Sequence, residues 1–86
     1  MKVTVKYFAS IRESIGQGTE VLQTSAITLG QLRGELVARG GAYAESLDAA
    51  FNGRILRMAL NQDMSDDTAL LLEGCEVAFF PPVTGG

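Results

Sequence analysis

The sequence predicts an α+β fold, a small mixed sheet packed on one principal helix. Three stretches carry that expectation. "MKVTVKYF" alternates apolar and polar residues at the period of a half-buried strand. "TLGQLRGELVARGG" sets leucines at helical spacing between a capping threonine and a glycine stop. "EVAFF" is a short apolar run that follows a turn-rich segment and reads as a last strand. With 86 residues there is material for one core and one domain.

In the first stretch Val3, Val5 and Tyr7 fall on one side and Lys2, Thr4, Lys6 and Phe8 on the other. Phe8 is thus an aromatic residue on the polar side. "SIRESIG" follows, with Ser10 and Glu13 at capping-box spacing and Gly16 where a short helical turn would end. "TEVLQTS" reads as a second strand, pairing antiparallel with the first. The clearest helix runs from about Leu29 to Arg39, with Thr28 as N-cap and Gln31 completing a capping box. Leu29, Leu32, Leu36 and Val37 share its apolar face, and Gly40 and Gly41 stop it. Gly30 and Gly34 each cost this helix ~1 kcal/mol relative to alanine, and close packing against the sheet would explain them. "YAESLDAAFNG" suggests a further short helix. "RILRMALNQDM" reads as a strand entering a turn near Asn61 and Gln62, and "SDDTALLLEG" as a turn-rich crossing. The order β-β-α-β-β resembles the ubiquitin-like β-grasp, a sheet curled over its main helix.

Composition excludes much chemistry. The net charge of −3 gives no electrostatic reason for nucleic acid or an anionic membrane as partner. No run approaches the ~18 apolar residues of a membrane span. The opening residues read as a strand rather than a signal peptide, so a cytoplasmic protein is expected. There is no histidine, the commonest general base and metal ligand, and a single cysteine cannot form an internal disulfide or a zinc or iron–sulfur cage. The ten carboxylates read as solvated charges on faces and turns. The expectation is a protein that is no enzyme on its own and holds no metal or cofactor.

The chemistry is expected in "PPVTGG". Residues 1–80 read as the folded body and 81–86 as an extended tail. Pro81 and Pro82 fix two φ angles and favour polyproline geometry, so the segment leaves the last strand as a stiff arm. From Phe80 to Gly86 such an arm reaches ~20 Å. It tapers through Val83 and Thr84 to Gly85 and Gly86, a shape suited to a narrow channel in another protein. Glycine leaves a terminal carboxylate unhindered by a Cβ.

"EVAFFPPVTGG", with "ALNQDM" and "KYFASIRESIG" upstream, resembles the small subunits of molybdopterin synthase, a family of β-grasp sulfur carriers. The likeness is strongest over the last strand and tail, and it runs in order over nearly the full length. The resemblance implies that an E1-like adenylyltransferase uses ATP to form an acyl-adenylate on Gly86. A sulfurtransferase persulfide then converts it to a thiocarboxylate. Pro81, Pro82, Val83, Thr84 and Gly85 insert with it into the large catalytic subunit, within a heterotetramer. There sulfur passes to cyclic pyranopterin monophosphate.

Phe79 is expected in the core, and Phe80 on the outer face beside Phe8 and Met64. The resemblance implies that such positions dock the large subunit. Cys75, where the family commonly has aspartate, reads as a small, partly buried turn residue with no part in sulfur transfer. "SDDT" reads as a turn. Three rival readings share the Gly-Gly end: a carrier for thiamine, cysteine or tRNA thiolation, a ubiquitin-like modifier of lysines, and an interaction module whose tail is a docking peptide.

Overall fold

The computed structural model describes residues 1–48 and 56–81. Its elements are β1 (Lys2–Tyr7), α1 (Ala9–Ile15), β2 (Thr19–Gln23), α2 (Leu29–Val37), α3 (Gly41–Leu47), β3 (Arg57–Leu60), β4 (Asp63–Ser65) and β5 (Glu76–Phe80). The strands form one mixed sheet in the order β2-β1-β5-β3-β4. β1 pairs antiparallel with β2 and parallel with β5, while β3 pairs antiparallel with both β5 and β4. The architecture is the predicted α+β β-grasp.

Alternation in the two central strands decides which face is dry. Val3, Val5 and Tyr7 of β1 and Val77 and Phe79 of β5 are buried against Leu29, Leu32 and Leu36 of α2, Ile11 of α1 and Leu47 of α3. Complete burial of each large aliphatic side chain contributes ~2 kcal/mol relative to exposure. This one core explains why α2, with only nine residues, is stable. Thr28 caps it as expected, its hydroxyl accepting from the Gln31 amide at 3.2 Å. The returning bond is displaced by one residue, since Gln31 Oε1 accepts from the Ile27 amide at 2.8 Å.

Several expectations are corrected. The first helix starts at Ala9, and Phe8 occupies its N-cap without a side-chain cap, so Ser10 lies inside the first turn and makes no capping box. Phe8 therefore stands just beyond β1. Gly16 does end α1, in the left-handed region at φ 89°. The principal helix stops at Val37, two residues early, as the amides of Arg39 and Gly40 turn back to the carbonyls of Leu36 and Val37. A fifth strand, β4, was hidden just past the Asn61–Gln62 turn, across the join of "RILRMALNQDM" and "SDDTALLLEG"; three residues are too few for alternation to register. Asn61 and Gln62 form its hairpin turn with both φ angles positive, at 49° and 72°.

The glycines of α2 have opposite settings. A Cβ on Gly30 would lie 2.8 Å from Asp67 Cβ, so this residue admits the 66–68 loop rather than the sheet. The Gly30 amide donates to the Asp67 carbonyl at 3.0 Å, and Arg33 clamps the Asp67 carboxylate at 3.0 Å. A Cβ on Gly34 would meet nothing within 4 Å. Gly34→Ala should raise stability by about 0.5–1 kcal/mol through helix propensity. Gly30→Ala should lower it, because the clash outweighs the same gain. Urea midpoints of the two variants, moving in opposite directions, check the assignment.

Candidate functional site

The parallel alignment of β1 with β5 sets Tyr7 beside Phe79. Their rings stack in the core with centroids 6.1 Å apart. The next residues on each chain turn to the other side of the sheet. Phe8 and Phe80 stack there, centroids 4.8 Å apart and planes within 10°. The Phe8 amide donates to the Phe79 carbonyl at 3.2 Å, which carries the pairing one residue past β1.

Antiparallel pairing extends this outer face. Arg57 lies opposite Phe80, Ala59 opposite Ala78, and Met64 opposite Ala59. Phe8, Ala9, Arg57, Met64, Phe80 and Pro81 together line a shallow cavity of about 310 Å³. Phe8 is 39% and Met64 61% exposed. The structure thus brings together the three outer apolar residues singled out in the sequence, directly where Pro81 leaves the sheet. Pro82, Val83, Thr84, Gly85 and Gly86 lie outside the described residues. Ala9 holds φ 50°, a costly value for a residue with a Cβ, at the junction that turns the chain from Phe8 into α1.

Cys75 is 3% exposed and packed in the core, deeper than expected. Gly74, at φ 76°, turns the chain so that Cys75 points inward at the start of β5. The "SDDT" segment is a turn, in which Asp66 Oδ1 accepts from the amide and hydroxyl of Thr68. Those bonds hold the Asp66 carboxyl below its usual range.

Glu20 departs from the expectation of solvated carboxylates. Its Oε2 accepts from Tyr7 Oη at 2.9 Å, Tyr43 Oη at 3.0 Å and Gln17 Nε2 at 2.9 Å. Its Oε1 accepts from Arg39 Nη1 at 2.9 Å. The network joins β1, β2, α3 and the segments that follow α1 and α2. Burial opposes the charge on Glu20, but hydrogen bonds from Arg39, Tyr7 and Tyr43 outweigh it and hold the carboxyl below its usual range. Burial, then the bond to Glu20, pushes the Tyr7 phenol far up. Both Glu20 oxygens are engaged by protein donors, so the cluster reads as structural. Among the described residues no group of three or more His, Cys, Asp or Glu is arranged to hold a metal.

The ThiS family matches residues 5–86 of this chain. The molybdopterin synthase sulfur carrier subunit of Escherichia coli is 36% identical over 84 residues, covering 98% of this chain and 99% of that protein. Among solved structures, SAMP1 from Haloferax volcanii superposes with a TM-score of 0.78 at 26% identity, covering the whole of both chains. A complex of subunits 1 and 2 of molybdopterin-converting factor from Helicobacter pylori contains a chain matched over its full length, at TM-score 0.69 and 26% identity. The protein belongs to the ThiS family. The expectation of a carrier subunit, with no enzyme activity of its own, agrees with the names of these relatives.

The depressed Glu20 carboxyl has a defined pH signature. Its contribution to stability is present above the unfolded value near 4.5 and is lost as pH falls through the lower folded value. Glu20→Gln should be less stable than the native chain at pH 7, and the difference should shrink steadily below about pH 4.5. Urea unfolding of both proteins between pH 7 and about pH 3 measures it; a constant difference would mean that the charge on Glu20 contributes nothing.

Proposed function

We propose that this protein is the sulfur carrier of molybdopterin synthase, with residues 1–80 as a docking body and residues 81–86 as the tail that bears the sulfur. The observation that carries the reading is the stacked Phe8–Phe80 pair, flanked by Met64, at the root of that tail. It is supported by the full-length likeness to a named sulfur carrier subunit of the same synthase.

The chemistry follows from a bare glycine carboxylate. The Gly86 carboxylate attacks the α-phosphorus of ATP in an E1-like adenylyltransferase, pyrophosphate leaves, and a glycyl adenylate forms. The outer sulfur of a sulfurtransferase persulfide displaces AMP to give an acyl disulfide, and a second thiol attacks the donor's sulfur, forming a disulfide with it and releasing the thiocarboxylate. Pro81, Pro82, Val83, Thr84 and Gly85 thread the tail into the large catalytic subunit. There the soft, tethered nucleophile reaches cyclic pyranopterin monophosphate at high effective concentration. Two such transfers per pterin build the dithiolene, which suits a heterotetramer with two carriers. ATP is consumed by the activating partner, the chain itself holds no cofactor, and the cycle is cytoplasmic.

Intact mass tests this. Incubation with ATP, the activating enzyme and a sulfur source should add about 16 Da as the terminal –OH becomes –SH. Deleting Gly86 should abolish the shift and dithiolene formation together. Lysine-linked adducts in place of the shift would make the protein a modifier, and thiocarboxylate that reaches a different acceptor would assign it to another pathway. Phe80→Ala should weaken binding to the large subunit by about 2 kcal/mol, typical of a central aromatic anchor, with little change in thermal midpoint. Loss of folding would instead make Phe80 part of the core. Cys75→Ser should lower stability yet leave sulfur loading intact.

A further inference from the structure

Among the described residues, the cavity where Pro81 leaves β5 is lined by one charged side chain. Arg57 is exposed on β3, directly opposite Phe80 in the antiparallel pairing, and lines the cavity with Phe8, Met64 and Pro81. Of the other five lysines and arginines among the described residues, Lys6, Arg33 and Arg39 pair with Glu76, Asp67 and Glu20, while Lys2 and Arg12, which do not line this cavity, form no ion pair there. Arg57 has no carboxylate within ion-pair distance among the described residues. In a chain of net charge −3, the described lining of this cavity contributes a cation and no carboxylate.

An apolar plug seated on Phe8, Met64 and Phe80 would strip water from the neighbouring guanidinium. Desolvating that charge without a partner is costly, and the fork of an arginine is best satisfied by a carboxylate. We infer that Arg57 is a specificity-determining contact for the large subunit, and that the subunit's docking surface presents an aspartate or glutamate beside the apolar group that enters the cavity. The apolar stack supplies contact area, and the ion pair fixes orientation at the point where the tail departs. The repulsive consequence is as useful. A partner with a lysine or arginine at that position is rejected, so the pair selects among acceptors able to take the same apolar surface.

This inference rests on the docking reading proposed above, and the experiment separates the two. Binding of the native chain, Arg57→Gln, Arg57→Glu and Phe80→Ala to the large subunit from the same organism is measured by calorimetry from about 50 to 500 mM NaCl, a range over which exposed charge pairs are strongly screened. Arg57→Gln should raise Kd about tenfold at the lowest salt and flatten the salt dependence, and Arg57→Glu should raise it further. Phe80→Ala should weaken binding while keeping the native salt slope. Thermal midpoints of both Arg57 variants should match the native value, since the side chain is exposed. If Arg57→Gln binds as tightly as the native chain with the same salt slope, while Phe80→Ala binds weakly, the carboxylate partner is refuted and the docking face survives. If Arg57→Gln weakens binding but keeps the native slope, the guanidinium meets neutral acceptors and the inferred carboxylate is again refuted. If Phe80→Ala has no effect, the docking face itself falls, and the role of Arg57 falls with it.

Discussion

The parallel pairing of β1 with β5 is the constraint on which the rest of the molecule depends. It joins the first strand to the last across the whole chain, and it aligns Tyr7 with Phe79. Because successive side chains of a strand point to opposite faces, that single alignment sorts four aromatic residues into two pairs. Tyr7 and Phe79 become the centre of the core, and Phe8 and Phe80 become the outer stack. A slip of β5 by one residue would turn Phe79 outward and Phe80 into the core, breaking both pairs. The same hydrogen-bond ladder therefore specifies both stability and surface.

A second device fixes the elements that the ladder does not reach. Glu20 accepts hydrogen bonds from Tyr7, Gln17, Arg39 and Tyr43, four residues drawn from separate parts of the chain. A half-buried carboxylate held by four donors loses stability when a partner is missing, which ties the cluster to correct assembly. It lies among the helices and β2, while the outer stack lies where β5 ends. The polar cluster and the outer aromatic stack are kept apart.

The local elements were legible to the extent that their signals are local. Alternation in β1 and β5, the leucine spacing and Thr28 cap of α2, the Gly16 stop and the Asn61–Gln62 turn all follow from a few neighbouring residues. The outer placement of Phe8 and Phe80 was legible too, because period-2 alternation assigns faces without knowledge of strand order, whereas Met64 was placed with them only from its position after the Asn61–Gln62 turn. β4 was not legible, since three residues carry too little pattern. The false capping box at Ser10 and Glu13 shows that correct spacing does not fix the residue at which a helix begins.

Sequence alone determined the class of fold, the face of each central strand and the kinship carried by "EVAFFPPVTGG", because these depend on short-range pattern. Tertiary structure decided whatever depends on residues distant along the chain. The parallel sense of β1 and β5, the enclosure of Glu20 and the contact of Gly30 with Asp67 all arise from strand order and helix placement. So does the lone cation at the cavity. Arg57 looks like any surface arginine until pairing sets it opposite Phe80, with no acid beside it among the described residues. The physical reason is common to all four: backbone pairing brings together side chains whose separation in sequence carries no signal of their contact.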